Sequence, residues 1–264
     1  MPLPRLWHFR ISHYNEKVRW ALDHKRWPHL RRALVPGFHV PRAYRLSGQS
    51  KLPVLELDGR VLFDSSAIIA ALERLRPDPP LYPGDPTARA RALALEDYFD
   101  EEVAPDLRRL FWWSYLDRPA ECARMATDGF GPVTRLAWRA SWPLMRPLAG
   151  RNMGLDRARV DRARGRLDAY FDRLESEIGA DGHLVGDRFT IADLTAASVM
   201  TAIIRPPEFS YPLPEPWPPA LVQLRASVAE RPGFRWVLDI YSRHRGQSFE
   251  LASGVRASEL EPTG

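Results

Sequence analysis

The sequence predicts two domains of different class: a mixed α/β unit with the element order βαβαββα, followed by an all-α domain. Three observations carry this. The run Lys51-Leu52-Pro53-Val54-Leu55-Glu56-Leu57-Asp58-Gly59, continued by Val61-Leu62-Phe63-Asp64-Ser65-Ser66-Ala67-Ile68-Ile69, spells a proline-led strand, an Asp-Gly turn, a second strand and a polar entry into a helix. Residues 76–86, Arg-Pro-Asp-Pro-Pro-Leu-Tyr-Pro-Gly-Asp-Pro, hold five prolines and a glycine, a composition that continues neither a helix nor a central strand. From Thr87 onward the signals are helical, and Thr190-Ile191-Ala192-Asp193 carries the pattern of a capping box.

Taken in order, residues 4–9 read as a strand and 14–25 as an amphipathic helix with Val18, Trp20, Ala21 and Leu22 on its apolar positions. Residues 30–35 form a second strand, and 40–46 a short helix running into the Ser47-Gly48-Gln49-Ser50 loop. A crossing helix makes the first strand pair parallel, and the Asp58-Gly59 turn makes the last pair an antiparallel hairpin. Pro53 has no N–H for a sheet ladder, so it belongs at the start of its strand. A cis Leu52–Pro53 bond there would turn the backbone groups of Leu52 outward, toward an extended ligand. Ser65 and Ser66 open the helix over 65–75, with backbone N–H groups and hydroxyls suited to a carboxylate.

The expected boundaries are 1–76 for the α/β domain, 77–86 for a proline-rich linker, 87–245 for the all-α domain and 246–264 for a polar tail. Helices are expected at 88–116, 155–178, 190–204, 219–230 and 234–244, with proline-rich punctuation over 205–219. No internal repeat is evident.

With 264 residues, 45% hydrophobic and 27% charged, the chain has the composition of a globular protein with a sizeable core. Cys122 is the only cysteine, so no intramolecular disulfide, CxxC pair or cysteine-based metal site can form, which fits a reducing cytoplasm. No apolar stretch approaches the ~18 residues of a membrane span, and the first residues lack the apolar core of a secretion signal. The net charge of +5 is spread among acidic residues, as in Asp156-Arg157-Ala158-Arg159-Val160-Asp161-Arg162, which reads as a solvated face rather than a nucleic-acid surface. HExxH, P-loop and GxSxG patterns are missing and the histidines are not at ligand spacing, so no metal is expected.

Asp193, in the capping box, reads as structural. Ser12-His13-Tyr14-Asn15 occupies the turn between the first strand and the first helix, where the helix dipole places about half a positive charge. That favours an anion such as a thiolate, although an ordinary N-cap accounts for Ser12 equally, and solvation or ring packing accounts for His13 and Tyr14. Between residues 110 and 153, Trp112, Trp113, Trp138 and Trp142 interleave with Arg135, Arg139 and Arg146, next to Arg108 and Arg109. Core packing with snorkelling arginines, the wall of an apolar pocket and an interfacial membrane surface all fit. Pro143 and Pro147 interrupt the periodicity that would separate them.

Lys51-Leu52-Pro53, Asp64-Ser65, Phe189-Thr190-Ile191-Ala192-Asp193 and the opening Ser-His-Tyr-Asn-Glu-Lys-Val-Arg-Trp run over 12–20 together resemble the glutathione S-transferase superfamily, over residues 5 to about 245. The resemblance implies a thioredoxin-like first domain and a helical second one. It implies that Leu52, beside cis-Pro53, pairs its backbone with the cysteinyl part of glutathione, that Asp64 and Ser65 hold the γ-glutamyl amine and carboxylate, and that Lys51 approaches the glycyl carboxylate. Ser12 would hydrogen-bond the thiolate, with Tyr14 as the substitute donor, lowering the thiol pKa by ~1–2 units.

Glutathione would be the co-substrate of a cytoplasmic, homodimeric transferase attacking a small apolar electrophile, with Trp112 and Trp113 toward that substrate. Two other functions keep the same residues: a glutathione-dependent isomerase or dehalogenase, and a non-catalytic ligand-binding or membrane-docking scaffold. No cysteine lies in residues 12–15, so glutaredoxin-like mixed-disulfide chemistry is not expected. The long tryptophan- and arginine-rich segment departs from the compact helical domains of familiar transferases.

Overall fold

The computed structural model describes residues 3–252, which form two units: one from the described residues up to Leu81 together with the return from Arg245, the other Tyr82–His244. In the first unit the order is β1 (Arg5–His8), α1 (His13–His24), β2 (Leu30–Ala33), α2 (Val40–Ser47), β3 (Val54–Leu57), β4 (Arg60–Phe63) and α3 (Ser65–Leu75). The four strands make one mixed sheet in the order β2-β1-β3-β4, with β1 parallel to β2 and antiparallel to β3, and β3 antiparallel to β4. Asp58 (φ 49°) and Gly59 (φ 75°) both take positive φ in the β3–β4 turn, which is why this dipeptide makes a tight hairpin. β3 is the most buried of the strands, whereas the edge strand β4 is largely exposed. On one face Trp7, Leu52 and Val54 pack with Ala43 of α2. The other face carries Leu6 and Leu55, and α1 and α3, which pack against each other, supply the fully buried Val18, Leu22, Ile68 and Leu72.

Beneath α1 lies a cluster of buried charge. The Glu16 carboxylate accepts from Arg19 Nε and from Arg245 Nε, each at 2.7 Å, and Asp23 accepts from Arg31 at 2.6 Å and Arg245 at 2.9 Å. Asp23 also accepts the Phe249 N–H at 2.8 Å, and Leu251 N–H bonds His29 C=O at 2.8 Å. Residues 246–252, expected as part of a polar tail, are therefore built into the α/β unit. The remainder of that expected tail, 253–264, lies outside the described residues.

The second unit holds α4 (Pro86–Tyr98), a π-helical turn (Phe99–Val103), α5 (Ala104–Tyr115), α6 (Pro119–Ala126), α7 (Pro132–Met153), α8 (Arg157–Gly165), α9 (Leu167–Glu177), α10 (Ile191–Met200), α11 (Pro219–Val228) and α12 (Pro232–His244). All ten residues of α10 are buried, as a helix apolar on every side requires. Its start is fixed as the sequence predicts: Asp193 accepts the Thr190 and Leu184 N–H groups at 2.8 Å, and Thr190 Oγ1 accepts Ala192 N–H.

Three expectations need correction. The helix expected over 88–116 contains the π-helical turn, and the one over 155–178 breaks at Arg166 into α8 and α9. Residues 77–86 are not all linker: Leu81 and Tyr82 are buried, and Asp85 already caps α4. Pro143 and Pro147 do not end α7, because both prolines face outward and the other side is anchored by buried Trp138 and Trp142, whose rings stack at 4.9 Å. Sequence periodicity had found neither α6 nor α7.

Four histidines of the first unit, His8, His24, His29 and His39, are pushed below 6.5 by burial; neighbouring cations, Arg19 and Arg31 at His8, Arg31 at His29 and Lys25 at His24, add to it. His24 and His29 fall to about 4. Burial alone would raise Glu16 and Asp23, and the guanidiniums around them reverse this and hold both below their usual values. Depressed groups stabilise the fold above their unfolded pKa and lose that contribution as pH falls. The melting temperature should therefore drop as pH falls from 6.5 toward about 4, while the unfolded histidines take up protons and the folded ones do not, and drop further as the carboxylates follow. Thermal unfolding across a pH series at fixed ionic strength checks this, and a flat profile would refute it. Asp193→Ala should lower unfolding free energy by about 3 kcal/mol in denaturant titration, since it strands two buried N–H donors.

Candidate functional site at one end of the sheet

Strand register brings three segments to one end of the sheet. Val54, the first residue of β3, pairs with Phe63, the last of β4, and with Trp7 of β1. Leu52 and Pro53 therefore sit opposite Asp64 and Ser65 across the open end of the hairpin, and the chain leaving β1 toward Ser12 exits at the same end. The Leu52–Pro53 bond is cis, and Pro53 immediately precedes the strand.

Ser12 is the N-cap of α1, with extended backbone (φ −83°, ψ 129°), and its Oγ accepts Asn15 N–H at 3.4 Å. Because the hydroxyl oxygen accepts there, its hydrogen can be donated to a neighbouring anion. The fully buried Asn15 accepts Phe9 N–H at 3.0 Å through Oδ1 and donates from Nδ2 to Leu52 C=O at 3.4 Å. Both backbone groups of Leu52 were expected to turn outward, and this contact instead directs the carbonyl toward α1. Arg19 fixes the same turn: its guanidinium donates to the carbonyls of Phe9 (2.9 Å), Arg10 (3.2 Å) and Ser12 (3.5 Å) and to His8 Nδ1 (2.9 Å).

Asp64 caps α3, its Oδ1 accepting Ser66 and Ala67 N–H at 3.1 Å each. Its φ of 72° is unusual for a residue with a side chain, and such strained positions gather at ligand sites. Asp64 is exposed, while Ser65, the first helical residue, is buried. The buried Lys17 of α1 places its ammonium 3.3 Å from Ser66 Oγ, adding positive charge to the N-terminal turn of α3. One helix thus touches both halves of the site, Leu52 through Asn15 and Ser66 through Lys17.

Of the other expected residues, Tyr14 is half-buried with its ring 4.3 Å from that of His13, and Lys51 is exposed beside the Gln49 loop. Trp112 and Trp113 are half-buried on α5 in the second unit. The cavity defined in that unit, about 320 Å³, is charged rather than apolar, with Glu101, Glu102, Asp106, Arg109, Arg162 and Arg166 in its wall. Cys122 is buried, and burial pushes its thiol pKa up, which leaves it inert as a nucleophile. No group of side chains suited to a metal ion occurs among the described residues. Sequence reasoning missed Asn15, Lys17 and Arg19. The available signal was that a helix crossing between parallel strands is buried against the sheet, so its polar residues at 15, 16, 17 and 19 need partners.

The glutathione S-transferase N-terminal domain model matches residues 6–80 and the C-terminal domain model residues 157–226. A "Probable maleylacetoacetate isomerase 1" of Drosophila melanogaster is 38% identical over 72 residues, 27% of this chain and 29% of that protein. A "Probable maleylacetoacetate isomerase" of Caenorhabditis elegans is 48% identical over 46 residues, 17% and 22% of the two chains. The chain thus matches less than a third of either relative's length. Among solved structures, a glutathione S-transferase from Rhodospirillum rubrum F11 superimposes with a TM-score of 0.56 at 23% identity, covering 96% of each chain. The theta class glutathione S-transferase of Xanthomonas axonopodis pv. citri, solved with glutathione bound, gives 0.56 at 21%, covering 94% of this chain and all (100%) of that one. Both domain models fall in chain order on the two units just described, and the chain belongs to the glutathione S-transferase superfamily.

Proposed function

We propose that the sheet-end site binds glutathione and activates its thiol for attack on an electrophilic carbon. The observation that carries this is the convergence of Ser12, Leu52–Pro53 and Asp64–Ser65 at one end of the sheet. In this reading the γ-glutamyl carboxylate lies on the α3 N-terminus at Ser65, near the Lys17 ammonium, and the γ-glutamyl amine on Asp64. The cysteinyl backbone lies along Leu52 and the glycyl carboxylate near Lys51. The sulfur then faces Ser12 at the start of α1, where the hydroxyl and the helix dipole favour thiolate over thiol. The thiol proton leaves to solvent, and the sulfur lone pair forms the bond to the electrophile.

In a transfer reaction the leaving group departs with its electron pair. In an isomerisation the same C–S bond breaks again after rotation about the former double bond, and glutathione is returned. The two relatives named as probable maleylacetoacetate isomerases support including isomerisation beside transfer. A homodimer, a cytoplasmic location and a substrate role for Trp112 and Trp113 belong to the same proposal.

Calorimetric titration with glutathione and an S-alkyl glutathione should give saturable binding that Ser65→Ala weakens about tenfold or more, the worth of a hydrogen bond to a charged group. No binding of either ligand would return the chain to the scaffold reading. Ser12→Ala should lower kcat with a smaller effect on KM and raise the bound thiol pKa by ~1–2 units, read from thiolate ultraviolet absorbance. An unchanged pKa would remove Ser12 from this role, and Tyr14→Phe would then be the variant to measure.

A further inference from the structure

The charged cavity of the second unit has walls of opposite sign. α8 supplies one, with Arg159, Arg162 and Arg166 spaced i, i+3 and i+7 on a single helix face, and the π-helical turn with the start of α5 supplies the other, through Glu101, Glu102 and Asp106. At the floor the walls are joined. The buried Asp106 carboxylate accepts from Arg166 Nη2 at 2.5 Å, from the Tyr170 hydroxyl at 2.7 Å and from Arg109, whose Nε donates to Gly154 C=O at 3.1 Å. Gly154, at φ 64°, lets two arginines close in together: a Cβ there would lie 3.1 Å from Arg159 Cδ and 3.4 Å from Arg109 Nε. At the mouth the walls stay apart. Glu101, Glu102 and Arg162 are exposed and form no ion pair among the described residues, and Arg159 pairs with Asp156 at 3.0 Å rather than with either glutamate. The space between, about 320 Å³, is at the small end of ligand sites.

We infer that this cleft binds a small dipolar ion, a free amino acid or a dipeptide, with its carboxylate on Arg162 and Arg159 and its ammonium on Glu101 and Glu102. Both walls are needed to select it. An anion alone reaches the guanidiniums but meets two carboxylates across the gap, and a cation alone meets the reverse, whereas a molecule carrying both charges gains at each wall. The floor takes no part in the choice, because the charge of Asp106 is already matched by two guanidiniums. An apolar ligand would find charged side chains on either side, with only Pro105 between them. π-helical turns recur at functional sites, and here one carries both carboxylates of the mouth. The cleft lies wholly within the second unit, so its assignment does not rest on the thiol reading of the sheet end.

Calorimetric titration of the full chain with glycylglycine, N-acetylglycylglycine and glycylglycinamide tests this, since the three share one backbone and carry both charges, the carboxylate alone and the ammonium alone. Glycylglycine should saturate with a millimolar dissociation constant that rises with salt, and each capped peptide should bind about fivefold or more weakly. Arg162→Gln and the pair Glu101→Gln/Glu102→Gln should each weaken glycylglycine by about the same factor. These side chains are exposed and outside any ion pair, so melting temperature should be unchanged and serves as the control for folding. Equal binding of the acetylated peptide would overturn the dipolar assignment in favour of a simple anion site. Absence of saturation, or saturation that survives all three substitutions, would overturn the cleft itself, and loss on Ser65→Ala would move the dipeptide to the sheet end.

Discussion

The placement of α1 rests on paired charge buried beneath it. Glu16 and Asp23 are inaccessible to solvent or nearly so, and each is held by two guanidiniums, with Arg245 shared between them. A charge taken out of water costs several kcal/mol unless it is paired and hydrogen-bonded, and loss of either carboxylate would take an ion partner from two buried guanidiniums. That asymmetry makes the cluster a constraint. It ties β2 through Arg31, the end of β1 through Arg19 and the C-terminal return through Arg245 to one helix.

The site inherits its geometry from this constraint. Arg19 uses one edge of its guanidinium on Glu16 and the rest on the carbonyls of residues 9, 10 and 12, so the ion cluster also shapes the loop that presents Ser12. Asn15, one residue before Glu16, joins that loop to Leu52, and Lys17, one residue after, joins it to the start of α3. Successive residues of a helix point about 100° apart, so residues 15, 16 and 17 reach three different neighbours. The serine, the proline-led strand and the helix start are thereby held as one rigid group, and preorganisation of this kind lowers the ordering cost of binding a flexible tripeptide.

The second unit is organised differently, around an apolar helix rather than around charge. α10 is buried on every side and its capping box fixes where it starts, while the π-helical turn joins α4 to α5 beside it. α6 and α7 lie between the residues that continue the α4–α5 rod and the 157–226 region matched by the family, and they carry the surface that departs most from a closed globular face.

Local chemistry was enough to read much of this protein. The Asp58-Gly59 hairpin, the position of Pro53 ahead of its strand, the Asp64-Ser65 helix entry and the Thr190–Asp193 box are each determined within a few residues, because turn conformations, missing N–H groups and caps are short-range effects. The tertiary structure decided what depends on partners distant in sequence. Arg245 meets Glu16 across 229 positions, and no periodicity announces that residues after the last helix return to the first unit. Nor could Pro143 and Pro147 be read correctly in isolation, since a proline breaks an unsupported helix but is tolerated where the opposite face is anchored by buried side chains. Pattern reveals what a residue does to its own backbone, whereas the fate of a buried charge or an exposed leucine is settled only by what the fold places against it.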